Sequence, residues 1–456
     1  MEKRVGTAEN PLRVAVIGTG PSGMFAAGAL LASKDIEVRV DLFDRLPAPF
    51  GLVRYGVAPD HQKIKNVIKV FDRTARDERV RFFGNVRFGS DLTRADLLDH
   101  YHQIVYAVGA QGDRPLGIEG EDLEGSVSST EFVNWYNCHP DLCDVCYTLE
   151  HESVAVIGIG NVAMDVTRIL AKRADDLATT DISDVALEEL RKEKIREVWI
   201  IARRGPVQAK CTPGELQEIG DLEGVQVIVD PKQLELDPAS VAELEQDRSA
   251  QKNMELFRKF AEEPEDPSRR HVRILFLASP VKILGDDGKV TGLQVERNRL
   301  VAKEDGRISP MGTGEVEILP TTMVIRAVGY RSNPLPELPF DERNAVIPNA
   351  AGRVVGEEYA NDYVVGWIKR GPTGLIGTNK GDANETVASM VADAATLGGE
   401  KSGDVADLLR EKGVRWVTYE EWSRLDEHEI ETGKAAGRPR VKLTRIDEML
   451  ERLGAG

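Results

Sequence analysis

The sequence has no uninterrupted apolar run approaching the ~20 residues that a membrane-spanning helix requires, which excludes a helical span. Cysteine is scarce, with four among 456 residues, so no disulfide framework holds the fold. Positive charge is in deficit: Lys plus Arg number 59 against 76 Asp plus Glu, a net charge of −17. That balance argues against nonspecific binding to nucleic acid or to anionic membranes. The opening MEKRVGTAENPL lacks the charged, apolar and small-residue regions of a signal peptide, and it is too short and acidic for a transit peptide. A cytoplasmic protein is expected. What remains is 41% hydrophobic and 30% charged, an ordinary globular balance. The chain is too long for one hydrophobic core, so two or three domains are expected.

One pattern occurs twice. The apolar run Leu12–Ile17 leads into Gly18-Thr19-Gly20-Pro21-Ser22-Gly23 and then an Ala/Leu-rich helical stretch, Met24–Ala32. The run Val154–Ile157 leads into Gly158-Ile159-Gly160-Asn161-Val162-Ala163 and the helical stretch Met164–Lys172. Both read as strand, glycine turn, helix. In a dinucleotide-binding turn the first glycine makes the tight bend and the second lets the backbone approach a pyrophosphate. The third, or an alanine, allows close helix–strand packing, while the helix start offers N–H donors. Glycines also cap helices for structural reasons alone, so a lone match is weak. Two matches in the required context predict two bound dinucleotides.

The following strand should end in an acid that holds a ribose 2′-hydroxyl. Val38–Phe43 is that strand, and Asp44 closes it, 21 residues after Gly23. A solvated strand-end aspartate is the plainer alternative. The second repeat differs. Its strand, Glu197–Ala202, ends in Arg203-Arg204-Gly205, where guanidinium groups would clamp a 2′-phosphate, unless they form only an exposed basic turn. The first unit therefore suits FAD and the second NADP(H).

Gln103–Ala110 and Met323–Tyr330 read as buried strands that close each unit beneath its nucleotide. Between them lie hairpin-like stretches with turn signals at Asp287-Gly288 and Asp305-Gly306. Asp237–Arg270 is charged and helical in character and reads as a solvated surface helix. The fold class expected is α/β, with two Rossmann-like dinucleotide-binding domains and the NADP domain inserted in the FAD domain. The boundaries place residues 1–112 and 331–456 in the FAD domain and 113–330 in the NADP domain.

Four strings are more specific than either turn: Pro49–His61 (PFGLVRYGVAPDH), Arg203–Gln208 (RRGPVQ), Gly366–Lys380 (GWIKRGPTGLIGTNK) and Gly437–Leu443 (GRPRVKL). With them the chain resembles, over nearly its full length, the adrenodoxin-reductase-type ferredoxin–NADP reductases, including their bacterial members. The resemblance implies FAD contacts at Ser22, Asp44, Leu52, Val86, Trp367, Gly374, Leu375 and Ile376. It implies NADPH contacts at Gly160, Asn161, Val162, Ala163, Arg203, Arg204, Glu215, Gly374 and Arg114. It also suggests that His61 and Glu218 lie near the flavin–nicotinamide junction and serve protons; a structural histidine and a solvated helix carboxylate are the bland alternatives. The loop Gly371–Gly374 leads toward a helix expected from Lys380, whose N–H groups can stabilise negative charge on the flavin. The implied reaction is hydride transfer from NADPH to FAD, then single electrons to a ferredoxin-type iron–sulfur protein.

An acidic partner must find a basic patch on a chain that is itself at −17. Three clusters qualify: Lys63, Lys65, Lys69 and Arg73; Arg269, Arg270 and Arg273; Lys369 with Arg370. Each also reads as an ordinary solvated face. The cysteines depart from the family pattern. Cys138-His139 and Cys143-x2-Cys146 carry zinc-type ligands, though not as well-separated pairs. Cys146 stands 12 residues before Gly158, a placement similar to the redox pair of thioredoxin-reductase-like enzymes. A disulfide reductase using Cys143 and Cys146 is the competing function.

Overall fold

The structure, a computed structural model, describes residues 4–303, 308–401 and 403–454. The chain divides into two compact units. The first comprises Met1–Gly112, Asn137–Cys143 and Tyr330–Gly456, the second Asp113–Tyr136 and Asp144–Gly329. No helix among the described residues is long and apolar enough to cross a membrane.

In the first unit Leu12–Ile17 is the central strand. It runs parallel to Val38–Phe43 on one side and Gln103–Tyr106 on the other, with Val80–Phe83 and Asp362–Val364 parallel beyond them. Leu12, Val14 and Val16 enter one core with Met24 and Met390, whereas Ala15 and Ile17 enter the other with Phe43 and Tyr106. Both faces are covered, which is why LRVAVI reads as a continuous apolar run rather than an alternating one. Helix Pro21–Leu31 is apolar or small almost all round because it lies between the sheet and helix Thr378–Ala394.

Residues 137–143, which the sequence reading left inside the inserted segment, are held to the first unit. Arg45 donates to both oxygens of Asp141 at 2.9 and 2.7 Å. The His139 ring lies 4.9 Å from that of Tyr55, and Lys442 Nζ donates to Asn137 O at 3.2 Å.

The second unit has a six-stranded, wholly parallel sheet in the order Ser126–Ser128, Met323–Arg326, Ser153–Ile157, Glu197–Ile201, Arg270–Leu275, Val225–Val229. Its strand Ser153–Ile157 is followed by helix Asn161–Ala171. A three-stranded antiparallel sheet, Ala278–Asp286, Lys289–Ala302 and Ile308–Leu319, packs Ile283, Val290, Leu293 and Leu319 against Ala155, Ile157 and Val324 of the parallel one. Asp287 and Gly288 both take positive φ (46° and 78°), the backbone of a tight two-residue hairpin. The Asp305-Gly306 signal lies outside the described residues.

The stretch 237–270 is not one solvated helix. It forms helices Pro238–Gln246 and Arg248–Glu262, divided at Asp247, which accepts from the N–H groups of Ser249 and Ala250. Ala250, Met254 and Phe257 are buried, and Phe257 meets Phe276 edge-on at 5.0 Å. Their i, i+4, i+7 spacing is an apolar stripe that the surrounding charge obscured.

Candidate functional site

The two glycine turns use the same backbone device. Gly18 N donates to Phe43 O at 2.8 Å, and Gly158 N to Ile201 O at 2.9 Å. Each glycine has positive φ, 103° and 126°. A Cβ on Gly18 would lie 2.7 Å from Ala107 O, and one on Gly158 2.2 Å from Ala327 O. Side chains are excluded there by the fold itself. The second glycines are different. A Cβ at Gly20 or Gly160 would meet nothing within 4 Å, and neither has positive φ. Both cap a helix without a side-chain cap. Among the described residues no neighbour demands glycine at these two places, whereas a phosphate seated on the helix N–H groups would. The residues present fit a dinucleotide in each unit.

Around the first turn, Asp44 is committed within its own unit. It accepts from Thr19 N at 3.0 Å, from Thr19 Oγ1, and from Leu46 N at 3.1 Å. Burial holds its carboxyl above the ordinary range, opposed by the hydrogen bonds from Thr19 and Leu46. It is thus a built acid rather than a solvated strand end, and its remaining lone pairs can accept ribose hydroxyls. Val86 is buried, and its N–H donates to Asp44 O at 2.8 Å. The 49–61 string closes over the turn: Phe50 N donates to Thr19 O at 3.1 Å, with Phe50 at φ 82°. A bulky residue at that φ is a strained conformation held by its surroundings. Gly51 follows at φ 47°, where a Cβ would stand 3.0 Å from Gly20 Cα, and Leu52 starts the next short helix.

Ser22 sits where the 366–380 string meets the same helix. A Cβ on Gly366 would lie 2.0 Å from Ser22 Oγ, and that hydroxyl donates to Asn379 Oδ1 at 3.1 Å. Gly366 N is held by Asp382. Trp367 donates through Nε1 to Thr373 O at 3.2 Å, and its ring lies 5.1 Å from that of Tyr330. Gly374 takes φ 80°, Leu375 is exposed, and Ile376 is half-buried just before helix Thr378–Ala394. The helix begins two residues before the expected Lys380.

In the second unit Ala163 is fully buried in the position that Gly23 holds in the first. Asn161 Oδ1 accepts from Thr212 N at 2.8 Å, and Val162 is half-buried beside it. Arg203 and Arg204 follow strand Glu197–Ile201. Their backbone is tied down by Asn298, which donates to Arg203 O at 2.9 Å, and by Leu277 N, which donates to Arg204 O at 3.1 Å. Neither guanidinium has a carboxylate within ion-pair distance among the described residues, and burial together with Arg203 depresses the Arg204 pKa. Two adjacent guanidinium groups, with Glu243 near Arg204 but no ion pair among the described residues, are suited to a doubly charged phosphate. Arg114 is exposed and donates through its backbone to Gly329 O at 3.0 Å.

Glu215 and Glu218 stand on helix Pro213–Gly220, capped by Thr212. Sequence reasoning missed what orients them. Arg168, buried in helix Asn161–Ala171, reaches Asp165 at 2.7 Å, Glu215 at 3.0 Å and Glu218 at 3.6 Å. An arginine three residues after Asp165 and seven after Asn161, in a helix whose other residues near it are mostly apolar, was the available signal. Thr19, Asn379 and Asp382 were missed as well; nothing in their local sequence marks them.

His61 caps the short helix Gln62–Lys65 in the first unit, and its N–H donates to Ala58 O at 3.0 Å. Among the described residues the cysteine-rich segment brings no three metal-type ligand atoms together. Asp141 N donates to His139 Nδ1 at 3.1 Å, which commits that nitrogen as an acceptor. Cys146 is exposed, and burial with Glu189 pushes its thiol above its ordinary pKa. A reactive redox thiol needs the opposite shift.

Two parallel-sheet units, each with a strand–glycine–helix turn, one ending in an acid and the other in paired arginines, define a two-dinucleotide oxidoreductase. The chain belongs to the adrenodoxin-reductase-type ferredoxin–NADP reductase family. It is 45% identical over 454 residues to the NADPH-ferredoxin reductase FprA of Mycobacterium leprae, covering 97% of this chain and 98% of that one. It is 39% identical to the mitochondrial NADPH:adrenodoxin oxidoreductase of Arabidopsis thaliana, over 97% and 95% of the two chains. The structure of Mycobacterium tuberculosis FprA in complex with NADPH superposes with a TM-score of 0.92 at 44% identity, over 98% of this chain and all of that one. No family model matches the chain.

Proposed function

We propose that this chain oxidises NADPH, passes the hydride to FAD, and delivers single electrons to a small ferredoxin-type iron–sulfur protein. The observation that carries the reading is the opposite charge at the ends of two otherwise equivalent turns, in a chain whose relatives are named NADPH-ferredoxin and NADPH:adrenodoxin reductases. FAD, when bound, takes electrons in pairs and releases them singly, which lets a hydride donor serve a one-electron acceptor.

The protein's own residues bind and orient. Gly18, Gly20 and Gly23 open the first turn to a pyrophosphate, and Asp44 accepts from the adenosine ribose. Ser22, Leu52, Val86, Trp367, Gly374, Leu375 and Ile376 line the rest of the FAD site. In the second unit Gly158, Gly160, Asn161, Val162 and Ala163 receive the NADPH pyrophosphate, and Arg203 with Arg204 clamp its 2′-phosphate. Arg114, Glu215 and the backbone of Gly374 complete the NADPH contacts. His61 and Glu218 hold and exchange protons. The negative net charge supports a protein of the cytoplasm that binds neither nucleic acid nor an anionic bilayer.

The deciding assay follows NADPH oxidation by the flavin-loaded protein with two acceptors in parallel: a ferredoxin coupled to cytochrome c, and a thioredoxin coupled to a disulfide dye. The Cys143→Ser/Cys146→Ser variant is run beside wild type. Ferredoxin-dependent turnover that survives the double substitution is expected. Disulfide reduction that vanishes with the cysteines would overturn the reading.

A further inference from the structure

An acidic partner can dock only where cations are exposed and not already neutralised by the chain's own carboxylates. Two of the three basic clusters fail that requirement. In the second unit Arg269 pairs with Glu263 at 2.6 Å, Arg270 with Glu193, and Arg273 with Glu197 at 2.7 Å and Glu265 at 2.5 Å. In the first unit Lys369 is buried between Asp382 at 3.0 Å and Glu385 at 2.6 Å, while Arg370 is spent on Thr373 and Asn379. Within the third cluster Lys65 is buried. Lys63, Lys69 and Arg73 remain exposed, with no carboxylate in ion-pair distance among the described residues.

These three share one surface. Helices Gln62–Lys65 and Ile68–Ala75 are joined by Val67 N donating to Ile64 O at 3.4 Å and Phe71 N to Val67 O at 3.3 Å, so the turn is carried through. Residues 63, 66, 69, 70 and 73 then fall on one side, linked by three- and four-residue steps. Val70, 44% exposed, lies among the lysines and Arg73. The opposite side is buried: Phe71 packs edge-on against Phe25 at 5.1 Å, on the helix that starts at the first glycine turn. An aliphatic centre rimmed by unpaired cations, mounted rigidly beside the proposed FAD site, has the anatomy of a protein interface.

We propose that the outward face of residues 63–73 is the docking surface for the acidic iron–sulfur protein, with Lys63, Lys69 and Arg73 steering it and Val70 forming the dry contact. This rests on the electron-transfer function proposed above. The test uses the flavin-loaded full chain and its Lys63→Glu/Lys69→Glu/Arg73→Glu variant. Each is assayed at low and high ionic strength with an acidic [2Fe–2S] ferredoxin and, separately, with menadione, a small neutral acceptor. The variant should raise the KM for ferredoxin by ~10-fold or more and flatten its salt dependence, leaving menadione turnover at the wild-type value. Val70→Ser should raise the same KM without altering the salt dependence. An unchanged ferredoxin KM and salt slope in the charge-reversal variant overturns the proposal. Wild-type protein that reduces menadione but no ferredoxin overturns the functional reading and the proposal with it. Should the reversal variant lose its flavin, Lys63→Gln/Lys69→Gln/Arg73→Gln carries the same test. Co-sedimentation with phosphatidylserine vesicles that only wild type shows would assign the face to a membrane and overturn the proposal too.

Discussion

The two glycine turns are nearly superimposable in their hydrogen bonding and opposite in their charge. The first closes on Asp44, which spends part of its capacity clasping Thr19 of its own turn. The second closes on Arg203 and Arg204, which have no carboxylate to clasp among the described residues. The comparison separates what the strand–turn–helix fold requires from what its occupant requires. Glycine at 18 and 158 answers to the fold, because a neighbouring carbonyl fills the space. Glycine at 20 and 160 answers to no such neighbour, since a Cβ there would meet no atom of the described residues within 4 Å, and it suits the nucleotide proposed for each turn.

Each unit also carries one deeply buried arginine, and removing these should give the largest effects. Arg54 forms a bidentate pair with Glu429 at 2.8 and 2.5 Å, both side chains almost wholly buried. Arg54→Met leaves that carboxylate short of its main partner, at an expected cost of about 4 kcal/mol. Arg168 faces carboxylates that retain some exposure, so Arg168→Met should cost about 2 kcal/mol. Denaturant titration measures both. Arg168→Met should also raise the KM for NADPH, which a purely structural arginine would leave alone; equal stability losses with an unchanged KM would break the contrast.

The third turn positions come next. A Cβ on Gly23 would lie 2.0 Å from Gly18 O, so Gly23→Ala is expected to cost about 3 kcal/mol and to yield protein short of flavin. The reciprocal Ala163→Gly should cost no more than about 1 kcal/mol, the helix-interior penalty of glycine. Melting curves with and without added FAD distinguish the two. Comparable losses at both sites would mean that the turns are not alternative versions of one device.

Arg203→Gln/Arg204→Gln removes the two cations proposed to clamp the 2′-phosphate. The KM for NADPH should rise about 10- to 100-fold while that for NADH stays within a factor of about three. Equal rises for both nucleotides would assign these arginines to general electrostatics rather than to the 2′-phosphate.

How much of this could be read in advance follows from range. The glycine turns, Asp44 and the arginine pair were legible because strand, turn and helix are contiguous and the required residue types are few. The diagnostic strings were legible only as resemblance, and the structure supplies a physical reason for two of them. Arg54 of the 49–61 string meets Glu429, which Leu443 N of the C-terminal string also binds, at 2.9 Å. Such long-range pairs leave no local mark. The same holds for Asn379 under Ser22, and for carboxylates that silence the 269–273 cations from up to 77 residues away. The return of residues 137–143 to the first unit was invisible for the same reason, since its anchors are Arg45, Tyr55 and Lys442.

That returning segment gives the smallest expected effect, and a pH window in which to see it. His139 is buried against Tyr55, and its Nδ1 accepts from Asp141 N, so both burial and the hydrogen bond favour the neutral ring. Burial holds its pKa at about 4, below the ordinary 6.5. A base depressed in the folded state contributes stability that is complete above 6.5 and is lost as pH falls from 6.5 through about 4. Asp141, held low by Arg45, withdraws its contribution only below the ordinary carboxylate range, so the two losses occur in separate windows. The unfolding free energy of wild type should drop by about 2 kcal/mol more than that of His139→Gln between pH 6.5 and 4.5. Parallel pH profiles for the two proteins would mean that the ring is already charged or solvated, and that the segment is held by the Arg45–Asp141 pair alone.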